Sequence, residues 1–380
     1  MNYGPNKKSA LRNHGAVLSR RNALTLSGVA ATLALSLAAD AAKHMEHGTV
    51  EGGLPGVTTI PQPSAVFAAF DVTISSLGAL GGVLQTLGRR ILGQPSGIEV
   101  SIGLGRSLLD RLPIERPRHL TTMPSFPGDL LDPALSHGDL LLQVCASTTN
   151  EAEAILRALT RQLGLLIPRW SIAGFRPGGH VESGRALTRN LFGFIEGHGN
   201  PAIGPATNDA VLTRHNGTEP GWAAGGTYQI VRLIRLAQQL WDADSVTTQE
   251  RVIGRRHDGT WLDGTPAEEQ PRFAADPTGA TTPLDAHARR ANPRTPGVEP
   301  PKLIRRSYSY LRGRDRYGRL DEGLIFVCYQ ADPVREFETV QRRLHGEALA
   351  RYALTVGGGY FFVPPHHPAR PWWSRPPFSG

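Results

Sequence analysis

The chain has 380 residues, 40% of them hydrophobic, which is too apolar for a disordered chain and too long for one small core, so about two domains of ordinary size are expected. Its formal charge is +8, but half of that excess sits in residues 1–42, where Lys7, Lys8, Arg12, Arg20 and Arg21 stand against Asp40. The rest is spread along the chain with no dense basic run interleaved with aromatics, which speaks for a solvated basic surface and against nucleic acid as a partner. Cys145 and Cys328 stand inside apolar runs and read as buried thiols; with no Cys-x-x-Cys, zinc and iron–sulfur centres are not expected.

The N-terminus has the three-part order of an export signal. Arg20-Arg21 precede a mildly apolar stretch over 22–39, and Ala38-Ala39-Asp40-Ala41-Ala42 supplies small residues for cleavage. Thr25, Ser27, Thr32 and Ser36 make the stretch a poor membrane anchor, an uncleaved anchor being the alternative. Paired arginines before such a segment resemble a twin-arginine signal, a route that exports folded, cofactor-loaded proteins. Residues 43–62, rich in Gly, Pro and Thr, read as a linker.

A first strand is expected over Ala65–Ile74 and a helix over Leu77–Arg90, with Leu77, Leu80, Leu84 and Leu87 on one face. A second helix follows over Thr148–Leu163, with Asn150 as a candidate cap. Gly138–Ala146 is a glycine-led apolar strand that runs into this helix. Gly323–Gln330 repeats the design, followed by Asp332-Pro333 and a helix over Val334–Leu344. Continuous apolar strands buried on both faces suit a helix-covered sheet. The echo points to two related α+β halves, 63–215 and 216–368, with a proline-rich tail over 369–380 that has no assigned role.

Three segments carry candidate chemistry. Asn190–Pro201 places Glu196 among Gly193, Gly197 and Gly199, so a carboxylate stands in backbone able to approach a flat ligand closely. Leu284–Arg294 holds His287 ahead of Arg289, Arg290 and the Asn292-Pro293-Arg294 turn. One such histidine is enough for a haem iron, whereas zinc would require several protein ligands. Leu303–Tyr310 alternates as a strand that sends Arg305 and Arg306 to opposite faces, either of them able to stabilise negative charge. Read singly, each segment has a bland alternative: a Gly-rich turn, a loop histidine, two exposed strand arginines.

Together and in this order, Gly-Phe-x-Glu-Gly-x-x-Asn-Pro, His-x-x-x-x-Asn-Pro-Arg and Ile304-Arg305-Arg306-Ser307-Tyr308 resemble the signature segments of dye-decolourising (DyP-type) peroxidases. Phe126–Asp129, Gly323–Gln330, Val356–Phe362 and the twin-arginine signal are similar as well. The likeness spans roughly 60–365 and is nearest to the exported subfamily that includes deferrochelatase/peroxidases of iron-uptake systems. It implies two ferredoxin-like α+β domains of the dimeric α+β barrel superfamily, with haem b in the second.

Carried over position by position, the resemblance makes His287 the proximal iron ligand, Arg305 the distal arginine and Glu196 the distal acid–base. Gly197, His198, Gly199, Asn292, Pro293 and Arg294 would lie along the haem. An acidic partner for His287 is expected on physical grounds, and Asp321 is the candidate. Glu196 departs from the family's aspartate, displacing the carboxylate by ~1.5 Å, one carbon–carbon bond. The implied activity is reduction of hydrogen peroxide with oxidation of bulky organic donors; Trp222, Trp241, Trp261, Tyr308 and Tyr310 are candidate electron relays, with core or surface packing as the plainer reading of each. The implied location is periplasmic or extracellular, reached through the twin-arginine machinery. A homo-oligomer is left open. The alternatives are a haem-processing protein that removes iron from intact porphyrin, and a binding module of ferredoxin-like halves without haem.

Overall fold

The computed structural model describes residues 54–214, 218–315, 317–366 and 371–378. The expected export signal (1–42) and the first part of the expected linker lie outside them.

The first half runs β1 (Ser64–Val72), α1 (Leu77–Leu92), β2 (Glu99–Gly105), β3 (Leu140–Ala146), α2 (Thr149–Thr160) and β4 (Leu166–Phe175). Its strands lie in the order β4-β1-β3-β2, all antiparallel, which is a ferredoxin-like sheet. The second half repeats it with β5 (Thr227–Leu236), α3 (Val246–Ile253), α4 (His287–Ala291), β6 (Tyr308–Arg314), β7 (Leu320–Gln330), α5 (Phe337–Leu344) and β8 (Ala353–Val363), in the strand order β8-β5-β7-β6. The halves join where Phe361 and Phe362 of β8 face Gly105 and Leu104 of β2, and where Ser309 of β6 faces Phe175 of β4. Because β6 pairs with both β4 and β7, the sheet closes on itself.

Closure explains why strands such as β1 carry apolar residues on both faces. Val66, Ala68, Phe70 and Val72 of β1 pack outward beneath the helices. Ala65, Phe67 and Ala69 of the same strand pack inward with Leu141, Cys145, Val231, Ile325, Val327 and Phe361. Side chains alternate along a strand, so two hydrophobic environments require two interleaved apolar sets. Both cysteines are buried free thiols.

Helix α1 begins where the Ser76 hydroxyl accepts a bond from the amide of Ala79, and buries Leu80, Val83, Leu84 and Leu87. A methyl group at Gly88 would collide with the Trp373 ring, so the glycine makes room for the C-terminal segment. That segment, part of the expected proline-rich tail, packs in the outer core through buried Trp372, Trp373 and Phe378. Thr148, and not Asn150, caps α2, accepting from Glu151 N at 3.2 Å.

The expected linker needs correction. Leu54 and Val57 belong to the inner core, and Arg306, only 1% exposed, donates to the carbonyls of Val57 and Thr59. A buried guanidinium needs acceptors, and residues 54–59 provide them. The expected strand over Leu303–Tyr310 is interrupted: Ile304–Arg305 and Tyr308–Arg314 both pair with β7, with a break at Arg306 and Ser307. The Phe126–Asp129 segment is structural, since Asp129 pairs with the buried Arg232.

Asp139 ties the first half together. Its carboxylate, 7% exposed, accepts from Arg111 at 2.6 Å, from Ser107 Oγ at 2.5 Å and from Val72 N at 2.9 Å. Burial works against the charge, but these donors prevail and hold the carboxyl below its usual range. A depressed carboxylate stabilises above its unfolded pKa, and the effect is lost as pH falls through the folded one. Asp139→Asn is expected to cost about 1–3 kcal/mol at neutral pH, read as a lower thermal midpoint, with the gap to wild type narrowing below about pH 4. An equal midpoint at pH 7 would rule this role out.

Candidate active site

His287 is the first residue of α4. Its Nδ1 lies 2.5 Å from Oε2 of Glu347, and the amide of Ala348 donates to the Asp285 carbonyl at 3.1 Å, pinning the two segments side by side. A carboxylate at Nδ1 fixes the proton there and leaves the Nε2 lone pair for a ligand. Burial opposes a charge on the ring, but Glu347 outweighs it and raises the pKa. The side chain keeps 32% of its surface open and Glu347 only 12%. Glu347 therefore takes the place expected of Asp321, which instead accepts from Tyr310 Oη at 3.4 Å and pairs with Arg235 of β5 and Arg312 of β6. Glu347→Gln is expected to weaken haem affinity or activity about 10–100-fold, measured by haem titration; unchanged affinity together with unchanged activity would contradict the assignment.

Glu196 lies on the short strand Ile195–Glu196, opposite Thr188. Its Oε1 accepts from Asn190 Nδ2 at 2.9 Å, while Asn190 Oδ1 also accepts from Phe194 N at 3.1 Å. Asn190 is thus held by backbone and in turn orients the longer side chain. Arg305 is fixed through its backbone: its amide donates to Asn200 Oδ1 at 3.0 Å, and Asn200 Nδ2 donates to its carbonyl at 2.8 Å. Gly199 allows the close approach, since a Cβ there would stand 2.7 Å from Arg305 Nη2. Gly197, at φ +113, turns the chain between Glu196 and this clamp. The charges of Arg305 and Glu196 both act on His287, so the three residues singled out by sequence share one site.

Around them is a cationic rim. Arg255 is driven down to about 10 by burial and by the charges of Arg305 and Arg294, and Arg294 is lowered by burial and Arg305. Arg255 lies 3.5 Å from the Trp261 ring centroid and donates to the Gly259 carbonyl at 2.6 Å. Arg294 follows Asn292 and Pro293, has φ +57, and is braced by Gln270 Oε1 at 2.5 Å. A non-glycine residue held at positive φ is strain of a kind that clusters at ligand sites. His198 is buried with Nε2 unpartnered and Nδ1 3.6 Å from Glu268. Burial, and then Arg255, lower its pKa.

These features fit a haem. One imidazole with a carboxylate behind it suits a porphyrin iron, and clustered guanidiniums suit an acidic periphery. Among the described residues there is no group of three His, Cys, Asp or Glu for a bare metal ion. Of the candidate electron-relay aromatics, Trp241, Trp261, Tyr308 and Tyr310 are buried and Trp222 is half-buried.

Models of the N-terminal and C-terminal parts of Dyp-type peroxidases match residues 55–176 and 187–368. The chain belongs to the DyP-type peroxidase family. It is 39% identical over 308 residues to a protein named Deferrochelatase from Yersinia pseudotuberculosis, covering 78% of this chain and 71% of that one. To the Escherichia coli K12 protein of the same name it is 36% identical over 348 residues, covering 82% of each. A DyP-type peroxidase structure from Streptomyces coelicolor superposes with TM-score 0.75 at 33% identity, covering 87% and 97% of the two chains. One from Cellulomonas bogoriensis does so with TM-score 0.74 at 32% identity, covering 83% and 93%. This DyP-type chain is thus a haem peroxidase with the α+β fold of two ferredoxin-like halves, acting on peroxide and organic donors.

Proposed function

We propose that the peroxidase binds haem b with His287 as the iron ligand, and that Glu196 and Arg305 act on hydrogen peroxide. The observation that carries this is the Glu347–His287 pair, together with the electrostatic reach of Glu196 and Arg305 to the same imidazole. Haem, when bound, supplies the redox chemistry. Glu196 accepts a proton from one peroxide oxygen and returns it to the other, which leaves as water. Asn190 holds the carboxylate in position. Arg305 offers donors to the negative charge that develops as the O–O bond breaks, and Asn200 keeps the arginine's backbone in place. Arg255 and Arg294 would hold the acidic groups of the porphyrin, and the organic donors would supply the two electrons that reduction of peroxide to water requires.

The test is the absorption spectrum of haem-loaded protein before and after hydrogen peroxide, in wild type and Glu196→Gln. The variant should keep its Soret band and react about 10²–10⁴ times more slowly. Equal rates would remove Glu196 from the reaction.

A second reading is supported by the relatives named Deferrochelatase at 36–39% identity: release of iron from haem with the porphyrin intact. Fluorescence of metal-free protoporphyrin after incubation with haem distinguishes it. The N-terminal signal supports export by the twin-arginine machinery to the periplasm or the outside, and a homo-oligomer is compatible with the fold.

A further inference from the structure

A cavity of about 750 Å³ opens at one end of the first half. Its walls are the end of β1, the short helix Arg106–Asp110, a loop through Thr121–Met123, the turn before β3 and Arg169 of β4. Glu196, Arg305, His287 and Glu347 are not among its lining residues. Its size is that of pockets that hold small organic ligands.

The carboxylates in this wall are already engaged. Both oxygens of Asp139 accept from Arg111, and further donors come from Ser107 and Val72. Both oxygens of Asp71 accept from Arg169, at 3.1 and 3.2 Å. Donors are left over. Arg106 uses only Nε, toward Asp110 at 2.9 Å. The hydroxyls of Ser75, Thr121 and Thr122 make no hydrogen bond among the described residues, and neither does the imidazole of His137. His137 is held at φ +62, its amide donating to the Gly358 carbonyl at 2.6 Å and its carbonyl accepting from Trp170 Nε1 at 2.7 Å. The backbone thus over-determines a conformation that an unconstrained histidine would avoid. Val72, Ile74 and Met123 give the cavity an apolar side. Tyr360, 5% exposed, completes that side, and its phenolic oxygen lacks a partner.

A wall with surplus donors and engaged acceptors selects a ligand rich in acceptors. Arg106, Arg111, Arg116 and Arg169 against Asp71, Asp110 and Asp139 leave one positive charge over, which matches a monoanion better than a phosphate dianion. We propose that this cavity binds a small organic carboxylate. Its charged end meets the donors of Arg106, His137 and the neighbouring hydroxyls, and its apolar body lies against Met123 and Ile74. The site is independent of the haem reading.

Calorimetric titration of the haem-loaded full chain with sodium benzoate, and with benzamide as a neutral probe of the same shape, tests it. Benzoate should bind one to one, about tenfold or more tighter than benzamide, as expected for a charge-assisted contact, and leave the Soret band unmoved. Arg106→Gln should weaken benzoate about tenfold while the reaction with hydrogen peroxide proceeds at the wild-type rate. His137→Asn, which keeps a residue tolerant of positive φ, should weaken it as well and gives the same reading should Arg106→Gln fail to fold. No benzoate binding, equal affinity for the two probes, a moved Soret band, or wild-type affinity in the variants overturns the proposal.

Discussion

Arg305→Leu is expected to slow the reaction with hydrogen peroxide by about 10²–10³, the usual loss when one preorganised donor to developing charge is removed. Haem content should not change, because Arg305 is no ligand in this scheme. Asn200 grips the residue only through main-chain atoms, so the strand Ile304–Arg305 and its pairing with β7 survive the substitution. The effect should therefore appear in the rate and leave the thermal midpoint in place. Stopped-flow absorbance on haem-loaded protein measures it directly. Removing a cation also relieves Arg255 and Arg294, whose charges Arg305 disfavours, so the variant should be no less stable than wild type. Wild-type kinetics in this variant would exclude the arginine from the reaction.

His287→Ala is expected to abolish stable haem binding, leaving a preparation with little colour. Truncation also strands Glu347, whose carboxylate is 12% exposed and bonded to this imidazole. Loss of its partner costs about 1–3 kcal/mol, so the alanine variant could lose haem merely by unfolding. His287→Gln separates the two effects. A glutamine amide donates to Glu347 and keeps the pair hydrogen-bonded, yet offers no nitrogen lone pair to an iron. It should hold its thermal midpoint near that of the haem-free wild type and still fail to bind haem as the wild type does. An unaltered haem spectrum in the glutamine variant would remove His287 as the ligand.

The candidate site was partly legible because three short segments, taken together and in order, resemble the family's signature. Glu196 stands among glycines, His287 ahead of an arginine-rich turn, and Arg305 in an alternating strand. What surrounds them was not legible. Glu347 lies 60 residues beyond His287, in a stretch with no glycine-rich or metal-ligand pattern, and the acidic residue chosen instead, Asp321, answers to Arg312 on its own hairpin and Arg235 on the neighbouring strand. The Asn190 bond to Glu196 is local to one segment but depends on a turn geometry that composition does not specify, whereas the bonds of Asn200 to the Arg305 backbone span 105 residues and form only when the halves come together. Arg255 and Arg176 carried no local signal. Arg176 donates to the Ser307 carbonyl at 2.7 Å and lies within electrostatic reach of Glu196.

Segment boundaries divide the same way. Residues 54–62 read as a linker because Gly, Pro and Thr are common there, yet Leu54 and Val57 are core residues and the carbonyls of Val57 and Thr59 receive Arg306. Gly88 is a poor helix former by propensity, and its place in the helix is explained by Trp373, which is seated over it. By itself the sequence determined the repeated strand–helix pattern and the two-sided apolar strands, because period and propensity are properties of short stretches, while His287 stood out as the iron-ligand candidate only through the resemblance of three segments, in order, to the DyP-type signature. The tertiary structure alone decided which carboxylate backs His287, what clamps Arg305 and where the buried Arg306 finds acceptors, because a hydrogen bond depends on a separation of about 3 Å that sequence distance does not encode.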